Sequence, residues 1–383
     1  MMISTSPRRV SLRSQLLALV ALHAGAAQVY AQSYARELPG VERTLVIRTA
    51  SDATWVGRGR LAVRGREWLY AYVRGNHHGG TDVTKRIHVR FSTDEGRTWT
   101  ASDTLPSGQK ATGLPLGPIE EKVEAGELDL IECPSGDLLI LVREMVAVPP
   151  TKGIGRPGKG MRQFRSTDGG KSWRDEGKPM SAAVGGGDYR SSLDHCIIGR
   201  DIYTLMIVPA GGPKNAVQLL KSTDNGHTWT RVSIINPGQE PIQETGLAHL
   251  GGTKLMAVGR TVAENATLLS TSDDLGRTWK PWTDISPQVG VTQQPNLVML
   301  GDKPGRLYLV GRLRTKETVQ RNGIWWTDDA GRTWRGGVLD EKDFVDTGYG
   351  DMRRRSDGAF VYVAYRGKDD LSNVYTYVFR VKE

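Results

Sequence analysis

The segment Ser166-Thr-Asp-Gly-Gly-Lys-Ser-Trp173 decides the fold, because its pattern returns four more times along the 383-residue chain. Every copy reads Ser/Thr-x-Asp-x-Gly-x-Ser/Thr-Trp. The other copies occupy residues 92–99, 222–229, 272–279 and 327–334. A motif that recurs at the interval of one supersecondary unit is typical of solenoids, propellers and related arrays. The sequence therefore predicts a fold built from repeated units.

The repeated motif, which we call the Asp box, has the composition of a self-clamped β-hairpin turn. Its aspartate can accept hydrogen bonds from backbone N–H groups of the turn. Its glycine permits a backbone conformation that side chains disfavour, and its tryptophan can bury a large ring beneath the turn. We therefore expect the boxes to build the fold and not to contact a substrate.

Strand-like segments around each box complete a larger unit. Two apolar runs joined by a Gly-containing turn precede each box, and together with the strands beside the box they make a four-stranded antiparallel blade. Residues 346–383 repeat the pattern without a box and contain too few strands for a blade. The early run of residues 44–48 can complete it. The predicted fold is all-β: a six-bladed β-propeller closed by pairing N-terminal with C-terminal strands.

The first 31 residues are predicted to be a signal peptide. Arg8, Arg9 and Arg13 precede an apolar run at residues 16–27, and small residues follow near Ala31. Residues 32–383 are then expected to form one propeller domain that is secreted or periplasmic. No other segment approaches the roughly 20 consecutive apolar residues of a membrane span, so none is predicted.

The net charge of +9 comes from scattered Lys and Arg residues without a basic run or a nucleic-acid motif. We therefore expect no nucleic-acid partner and favour an anionic glycan substrate. Cys133 and Cys196 could pair in an oxidising compartment or stay as buried thiols. His77 and His78 could supply a general acid or a metal ligand, but the sequence lacks the spacing of a metal site, and we expect them to be loop residues that face the ligand mouth. Nothing in the sequence calls for a cofactor.

The innermost strands of a propeller surround its axis, so their aligned residues are candidates for a ligand site. When the six inner strands are placed in register, polar or aromatic residues stand where a buried strand favours aliphatic ones. This predicted ring consists of Trp55, Glu127, Arg190, Glu244, Gln294 and Tyr349.

Arginine ends the second strand of five units. Guanidinium groups suit the recognition of carboxylate, sulfate or phosphate, so five arginines at equivalent positions favour a cationic site. They are Arg74, Arg143, Arg260, Arg312 and Arg366.

The Asp boxes and the blade count resemble the sialidase superfamily over the whole chain after residue 31. In sialidases a catalytic Glu opens a blade, and an arginine of the carboxylate-binding triad follows after one strand pair. Glu244 and Arg260 have this arrangement. The catalytic Tyr of the family opens the last blade in a Tyr-Ser context, and Tyr349 is similar, with Gly350 in place of Ser. Arg312, or alternatively Arg314, occupies the region of another triad arginine.

The resemblance implies a mechanism. Tyr349 would attack the anomeric carbon while Glu244 removes its proton, because a neutral tyrosine is a poor nucleophile. Asp82 is the only acid in the blade-one loop at residues 76–85 and would act as the acid/base. Glu127 and Asp129 are alternative catalytic carboxylates.

One departure concerns the first triad arginine, which sialidases carry in a Phe/Tyr-Arg-Ile-Pro motif that is absent here. Arg58 could substitute for it, or Trp55 could stack on a sugar. The expected function is therefore an exo-acting glycoside hydrolase for a terminal acidic sugar. A hydrolase or lyase for another polysaccharide, such as an arabinan- or uronate-containing glycan, and a non-catalytic glycan- or protein-binding propeller remain alternatives. The substrate-binding candidates are Arg58, Arg74, Arg260, Arg312, Trp55, Glu127 and Arg190.

Overall fold

The computed structural model describes most of the chain beyond residue 33. The described ranges are 34–48, 54–78, 81–118, 120–147, 158–184, 190–208, 216–235, 242–316, 319–368 and 371–381, without the side chains of 190–193, 208 and 316. The predicted signal peptide, residues 1–31, lies outside the described residues. Among the described helices, none is long and apolar enough to cross a membrane.

The described residues form 23 strands and two one-turn helices. The first strands are β1 (Glu42–Ile47), β2 (Trp55–Arg64), β3 (Glu67–Gly75), β4 (Arg86–Ser92), β5 (Val123–Glu132), β6 (Leu138–Val146), β7 (Gly158–Ser166) and β8 (Arg174–Gly177). The middle strands are β9 (Arg190–Ile198), β10 (Asp201–Val208), β11 (Ala216–Ser222), β12 (Thr230–Ile234), β13 (Ile242–Gly251), β14 (Lys254–Thr261), β15 (Thr267–Ser272) and β16 (Thr283–Asp284). The last strands are β17 (Thr292–Val298), β18 (Leu307–Lys316), β19 (Val319–Thr327), β20 (Arg335–Val338), β21 (Asp346–Arg354), β22 (Phe360–Lys368) and β23 (Leu371–Phe379). The helices are α1 (Ser181–Val184) and α2 (Ser286–Val289).

These strands form six antiparallel sheets, which confirms the six-bladed propeller. Strands β2–β4, β5–β8, β9–β12, β13–β16 and β17–β20 make blades one to five in order. Blade six has the order β21-β22-β23-β1, so the early strand β1 pairs with the last strand β23. This pairing closes the ring as expected. The inner strands β2, β5, β9, β13, β17 and β21 pack side by side around the axis.

Blade one differs from the expected four strands, because only three are paired as a sheet in the part of the chain that the structure describes. An irregular segment follows the edge of β4 instead. Thr100 N–H donates to Phe91 O at 2.8 Å, and Leu116 N–H donates to Ile87 O at 2.9 Å. Pro106 and Pro115 lie in this segment and cannot donate to a ladder, so the edge is covered without a regular strand.

The five Asp boxes share one hydrogen-bond pattern, which confirms their predicted structural role. In the second box, Asp168 Oδ1 accepts the Ser172 N–H at 2.9 Å and the Ser166 hydroxyl at 2.8 Å. Ser166 Oγ in turn accepts the Gly170 N–H at 2.8 Å, and Gly170 adopts φ +92°. Trp173 Nε1 also donates to Gly170 O at 3.0 Å, a bond that Trp279 and Trp334 repeat in their boxes but Trp99 and Trp229 do not. Each box thus closes its turn locally and leaves chemistry to other residues.

The two cysteines, whose pairing the sequence left open, are both free thiols. Cys133 is buried on the blade-two side and Cys196 is half-buried on β9. Burial raises the pKa of the Cys133 thiol to about 12. A buried, protonated thiol packs as a small apolar side chain and is a weak nucleophile.

Candidate active site

The inner strands carry a β-bulge at one common level of the propeller. The register of strand pairing changes at four equivalent places. They lie between Gly57 and Arg60 in β2, around Glu244 in β13, between Gln293 and Asn296 in β17, and between Gly348 and Asp351 in β21. A bulge re-aims a side chain and is common beside active sites.

Four side-chain-bearing residues in these bulges have left-handed backbones. Their φ angles are 54° for Arg58, 36° for Glu244, 45° for Gln294 and 52° for Tyr349. Such conformations cost about 1–3 kcal/mol each and persist where surrounding structure enforces them. The shared strain marks these residues as a set.

The bulges correct the predicted ring in blade one. Arg58, not Trp55, lies at the level of Glu244, Gln294 and Tyr349, because Trp55 stands three residues before the bulged position. The hydrophobic pattern of β2 gives no sign of the bulge, so the sequence alone predicts Trp55 and not Arg58 in the ring. In blade three the shift falls between Ser191 and His195, so Arg190 lies just before it, with its side chain outside the described residues.

Tyr349 and Glu244 meet at the centre of the site. The Tyr349 hydroxyl donates to Glu244 Oε1 at 2.7 Å, although 105 residues separate them. Burial raises the pKa of Tyr349, and the Glu244 carboxylate raises it further against the opposing arginines. Burial alone would raise the pKa of Glu244, but Arg260 and Arg312 outweigh it and lower that pKa. The pair therefore consists of a neutral phenol beside an ionised base.

Three arginines surround this pair. Arg312 lies over the Tyr349 ring, with Cζ 4.8 Å from the ring centroid, and its Nη2 is 3.5 Å from the hydroxyl. The Cζ of Arg58 is 5.5 Å from the same centroid. Arg260 Nε pairs with Glu244 Oε2 at 2.8 Å. Positive charge next to a tyrosine favours its anionic form, which suits a phenolic nucleophile.

The five strand-end arginines are not all equivalent. Arg260 and Arg312 pair with the residue just before the bulge on their inner strands, Gln243 and Gln293. In blade one the residue just before the bulge, Gly57, pairs with Val73. Arg74 therefore stands one residue beyond the equivalent position, and the Arg74 side chain is exposed.

Arg366 is displaced in the same way. In blade six the residue just before the bulge, Gly348, pairs with Tyr365, so Arg366 stands one residue beyond the equivalent position. The Arg366 side chain forms a salt bridge with Glu341 at 2.9 Å. A slip of one residue places a side chain on the other face of a sheet. Arg74 and Arg366 are thus outside the cluster around Tyr349, and the structure does not bring Arg74 to the other predicted site residues.

Glu127 joins the site as a partner of two arginines. Its Oε1 lies 3.2 Å from Arg58 Nη1, and its Oε2 lies 3.0 Å from Arg143 Nη1. Burial opposes ionisation of Glu127, but these two cations lower its pKa well below the ordinary range. A carboxylate held ionised between guanidinium groups orients them and is poorly suited to donate a proton.

Asp346 lies in the candidate site although no motif in the sequence points to it. Its carboxylate accepts hydrogen bonds from Trp55 Nε1 at 3.2 Å and from the Tyr365 hydroxyl at 2.8 Å, and it lies 3.4 Å from Arg312 Nη1. His78 Nδ1 is 2.9 Å from Asp346 Oδ2. Burial opposes ionisation, but His78 and Arg312 lower the pKa of Asp346 to about 2. Asp346 therefore anchors side chains of blades one, five and six.

Trp55 is part of this arrangement and not an open sugar platform. Its side chain is fully buried, and the His78 ring stacks on it at a centroid distance of 4.9 Å. The expectation that Trp55 stacks on a sugar requires an exposed ring face, which this packing removes. Its indole instead supports His78.

Asp82, the predicted acid/base, is engaged by its own loop. Its Oδ2 accepts the N–H of Asn76, and the N–H of His77 at 3.3 Å. Its Oδ1 accepts the Thr84 N–H at 3.0 Å and the Thr84 hydroxyl at 2.5 Å. Burial would raise the pKa of Asp82, but these hydrogen bonds lower it. The carboxylate stabilises a loop, and a proton-donating role for Asp82 stays a prediction.

Gly350, which stands where sialidases have Ser, has no space for a side chain. A Cβ there would lie 2.4 Å from Val363 O and 2.7 Å from the Ala364 Cβ. The departure is therefore enforced by close packing of β21 on β22. Arg314, the alternative to Arg312, instead pairs with Glu264 at 2.9 Å, and Glu264 also binds Arg260 Nη1 at 2.7 Å.

Asp129, the other alternative carboxylate, lies on the same strand as Glu127 but in a separate cluster. Its Oδ2 is 3.0 Å from His195 Nδ1, and Arg60 Nε is 4.0 Å from its Oδ1. These groups line a cavity of about 300 Å³ that contains none of the residues around Tyr349. Within the described ranges, no group of three or more His, Cys, Asp and Glu side chains could hold a metal ion.

Comparison with known families gives one match. A family described as "BNR repeat-like domain" matches residues 158–363. No curated protein matches the sequence.

Solved structures share the fold at low sequence identity. A Dyadobacter fermentans protein of unknown function superposes with a TM-score of 0.70 at 17% identity, covering 90% of this chain and 100% of that one. A Trypanosoma rangeli sialidase in complex with sialic acid gives 0.65 at 15% identity, over 90% of this chain and 59% of the sialidase. The NanB sialidase of Streptococcus pneumoniae gives 0.62 at 12% identity, over 88% and 70%.

Proposed function

Because the chain belongs to the BNR repeat-like domain family, we propose that it is a glycoside hydrolase that removes a terminal acidic sugar from glycans. The observation that carries this proposal is the 2.7 Å hydrogen bond from the Tyr349 hydroxyl to Glu244 Oε1. A phenol needs an adjacent base to act as a nucleophile, and a binding module has no need of this buried pair. Sialidases are among the proteins with the same fold.

The proposed first step forms a bond between Tyr349 Oη and the anomeric carbon as the glycosidic bond breaks. Glu244 takes the phenolic proton through the existing hydrogen bond. Arg260 Nε, 2.8 Å from Glu244 Oε2, fixes the carboxylate for this transfer. The leaving oxygen takes up a proton from an acid/base group during this first step. In the second step water displaces Tyr349 and gives one of its protons to that group, and Glu244 returns the phenolic proton to Tyr349. Two displacements at one carbon give retention of anomeric configuration.

The acidic character of the sugar is inferred from the cations beside the nucleophile. Arg58 and Arg312 stand over the Tyr349 ring with Cζ 5.5 Å and 4.8 Å from its centroid. A carboxylate on the anomeric carbon, or on the ring carbon across the ring oxygen from it, would come within reach of their forks while Tyr349 attacks. Sialic acid and uronic acids meet this condition, whereas a neutral sugar does not use the arginines.

The test is turnover of 4-nitrophenyl glycosides of N-acetylneuraminic acid and of glucuronic acid by wild type, Tyr349→Phe and Glu244→Gln. We expect turnover of at least one probe, with each variant losing roughly 10²–10⁴-fold in kcat. His77→Gln, an exposed loop change, is the matched control and keeps wild-type turnover. Unchanged turnover in both site variants would refute the mechanism. Absence of turnover on acidic probes, with binding of the free sugars, would favour a glycan-binding propeller.

A further inference from the structure

His78 is the side chain of the blade-one loop that contacts the candidate nucleophile. Its ring meets the Tyr349 ring edge-on, with centroids 5.7 Å apart and an interplanar angle of 81°. The imidazole stacks in parallel on Trp55, at 4.9 Å and 5°. These two contacts fix the plane of the imidazole beside the point where Tyr349 would attack.

Asp346 orients the imidazole within that plane. Its Oδ2 lies 2.9 Å from His78 Nδ1, and Trp55 Nε1 and the Tyr365 hydroxyl hold the same carboxylate. A carboxylate against one ring nitrogen places a proton on that nitrogen and leaves Nε2 as the nitrogen that exchanges protons. The aspartate–histidine pair is therefore oriented as a proton-transfer group.

The loop around Asp82 holds His78 in place. Asp82 Oδ2 accepts the N–H groups of Asn76 and His77, the two residues that precede His78. Lys85 is fully buried and its Nζ donates to His78 O at 3.1 Å. Glu124, also fully buried, accepts the Asp82 N–H at 2.7 Å. Asp82 therefore shapes the loop, and His78 is the residue that the loop directs toward Tyr349.

We propose that His78 is the acid/base catalyst of the glycoside hydrolysis put forward above, with Asp346 as its positioning residue. In the first step the glycosidic bond breaks, and the proton on His78 Nε2 moves to the leaving oxygen. Tyr349 bonds to the anomeric carbon and gives its proton to Glu244. In the second step a water proton moves to His78 and the water oxygen bonds to the anomeric carbon. The Tyr349 bond breaks, and Glu244 returns its proton, so that one water is consumed per glycoside.

The pH dependence of this step follows from the groups that face His78. Asp346 and Tyr365 lie on its Nδ1 side, Tyr349 lies at its edge, and Arg58 and Arg312 act on it from blades one and five. Burial lowers the pKa of His78 from its ordinary 6.5, and Asp346 only partly offsets this effect. The protonated acid is then lost as pH rises through a value below 6.5. We expect kcat/KM on a sugar leaving group to fall over that interval.

The experiment compares leaving groups in wild type, His78→Gln, Asp82→Asn and the His77→Gln control. Sialyllactose has a sugar leaving group that needs a proton, whereas 4-nitrophenyl N-acetylneuraminide has a leaving group that departs as an anion. For His78→Gln we expect kcat/KM, which reports the first step, to fall on the order of 10²–10⁴-fold on sialyllactose and less than about tenfold on the nitrophenyl substrate. In this variant the second step limits kcat on the nitrophenyl substrate, because water lacks its base. Added azide, which attacks the glycosyl-enzyme without a base, should therefore raise kcat and yield the glycosyl azide. Asp82→Asn should impair both substrates equally, through the loop.

The outcomes separate this inference from the proposed function. The role of His78 would be overturned, while the hydrolase stands, if His78→Gln lost kcat/KM equally on both substrates. The same conclusion would follow if Asp82→Asn, and not His78→Gln, lost kcat/KM mainly on sialyllactose. Absence of wild-type turnover on both substrates would overturn the role of His78 in sialoside hydrolysis, whereas turnover of the glucuronide probe would leave the proposed hydrolase standing. If His78→Gln does not fold, the wild-type pH profiles decide. If kcat/KM falls as pH rises through a value below 6.5 for sialyllactose but not for the nitrophenyl substrate, the inference is supported. Identical pH profiles for the two substrates oppose it.

Discussion

Gln294 offers a prediction that links stability to the site. The residue is 3% exposed, and neither its Nε2 nor its Oε1 has a hydrogen-bond partner among the described groups. It stands in the blade-five bulge at the level of Glu244 and Tyr349, and its own N–H donates to Glu244 Oε2 at 2.9 Å. A buried amide without partners destabilises the free protein, so we expect it to serve a ligand hydroxyl or amide.

The magnitude can be worked from the buried atoms. Burying an unpaired amide costs about 1–3 kcal/mol in protein mutational data. Gln294→Met removes the polar atoms with little change of shape, so the free energy of unfolding should rise by about that amount. With an unfolding entropy of about 2.1 cal/mol/K per residue over the 383-residue chain, Tm should rise by roughly 1–4 °C.

The assay is thermal unfolding of wild type, Gln294→Met and Gln293→Met, with KM measured on the substrate that wild type cleaves. Gln293 is equally buried, and its Oε1 also lacks a partner, but its Nε2 donates to Glu264 Oε2 at 3.1 Å. Gln293→Met loses this hydrogen bond, so its Tm should lie below that of Gln294→Met. We expect Gln294→Met to raise both Tm and KM. A Tm for Gln294→Met at or below the wild-type value would show that the amide is already paired and would refute the reasoning.

Three further predictions concern the clamp of a turn, a buried acid and a site cation. Asp168→Ala removes the acceptor of the Ser172 N–H and should lower the free energy of unfolding by about 1–3 kcal/mol; an unchanged urea midpoint would contradict the clamp. Burial raises the pKa of Asp194 to about 7, above its ordinary 3.8, so folding takes up a proton between these values. The contribution of this group to the free energy of unfolding is therefore full below pH 4 and is lost as pH rises to about 7. In Asp194→Asn, the free energy of urea unfolding should depend less on pH over this interval. Arg312→Lys keeps the charge but loses the fork over Tyr349, so KM for an acidic glycoside should rise roughly tenfold; an unchanged KM would place the sugar carboxylate elsewhere.

The fold could be predicted from the sequence because each Asp box is a local signal. Asp168, Gly170 and Trp173 act within eight residues, so their pattern is visible without knowledge of the rest of the chain. Ring closure could also be predicted, because the last unit lacked a strand that residues 44–48 supplied.

The site was only partly predictable, because it depends on bulges and long-range contacts. The resemblance to sialidases points to Tyr349 and Glu244, and their side chains do meet. The bulge at Arg58 shifts register without altering the apolar pattern of β2, so Trp55 was misplaced in the ring. The His78–Asp346 pair spans 268 residues and had no sequence signal of its own. Related sequences can be searched for this pattern: an acidic residue three positions before the candidate tyrosine, together with a histidine in the first-blade loop.

The pairing of β1 with β23 also has a consequence for the order in which activity can arise during folding. Blade one supplies Arg58 and His78, and blade six supplies Asp346 and Tyr349, so the site straddles the junction that this pairing locks. Blades two to five could be fully formed while these residues remain apart. Recovery of turnover after denaturation would then follow ring closure and lag behind the recovery of strand content, which makes enzymatic activity a kinetic reporter of the final topological step.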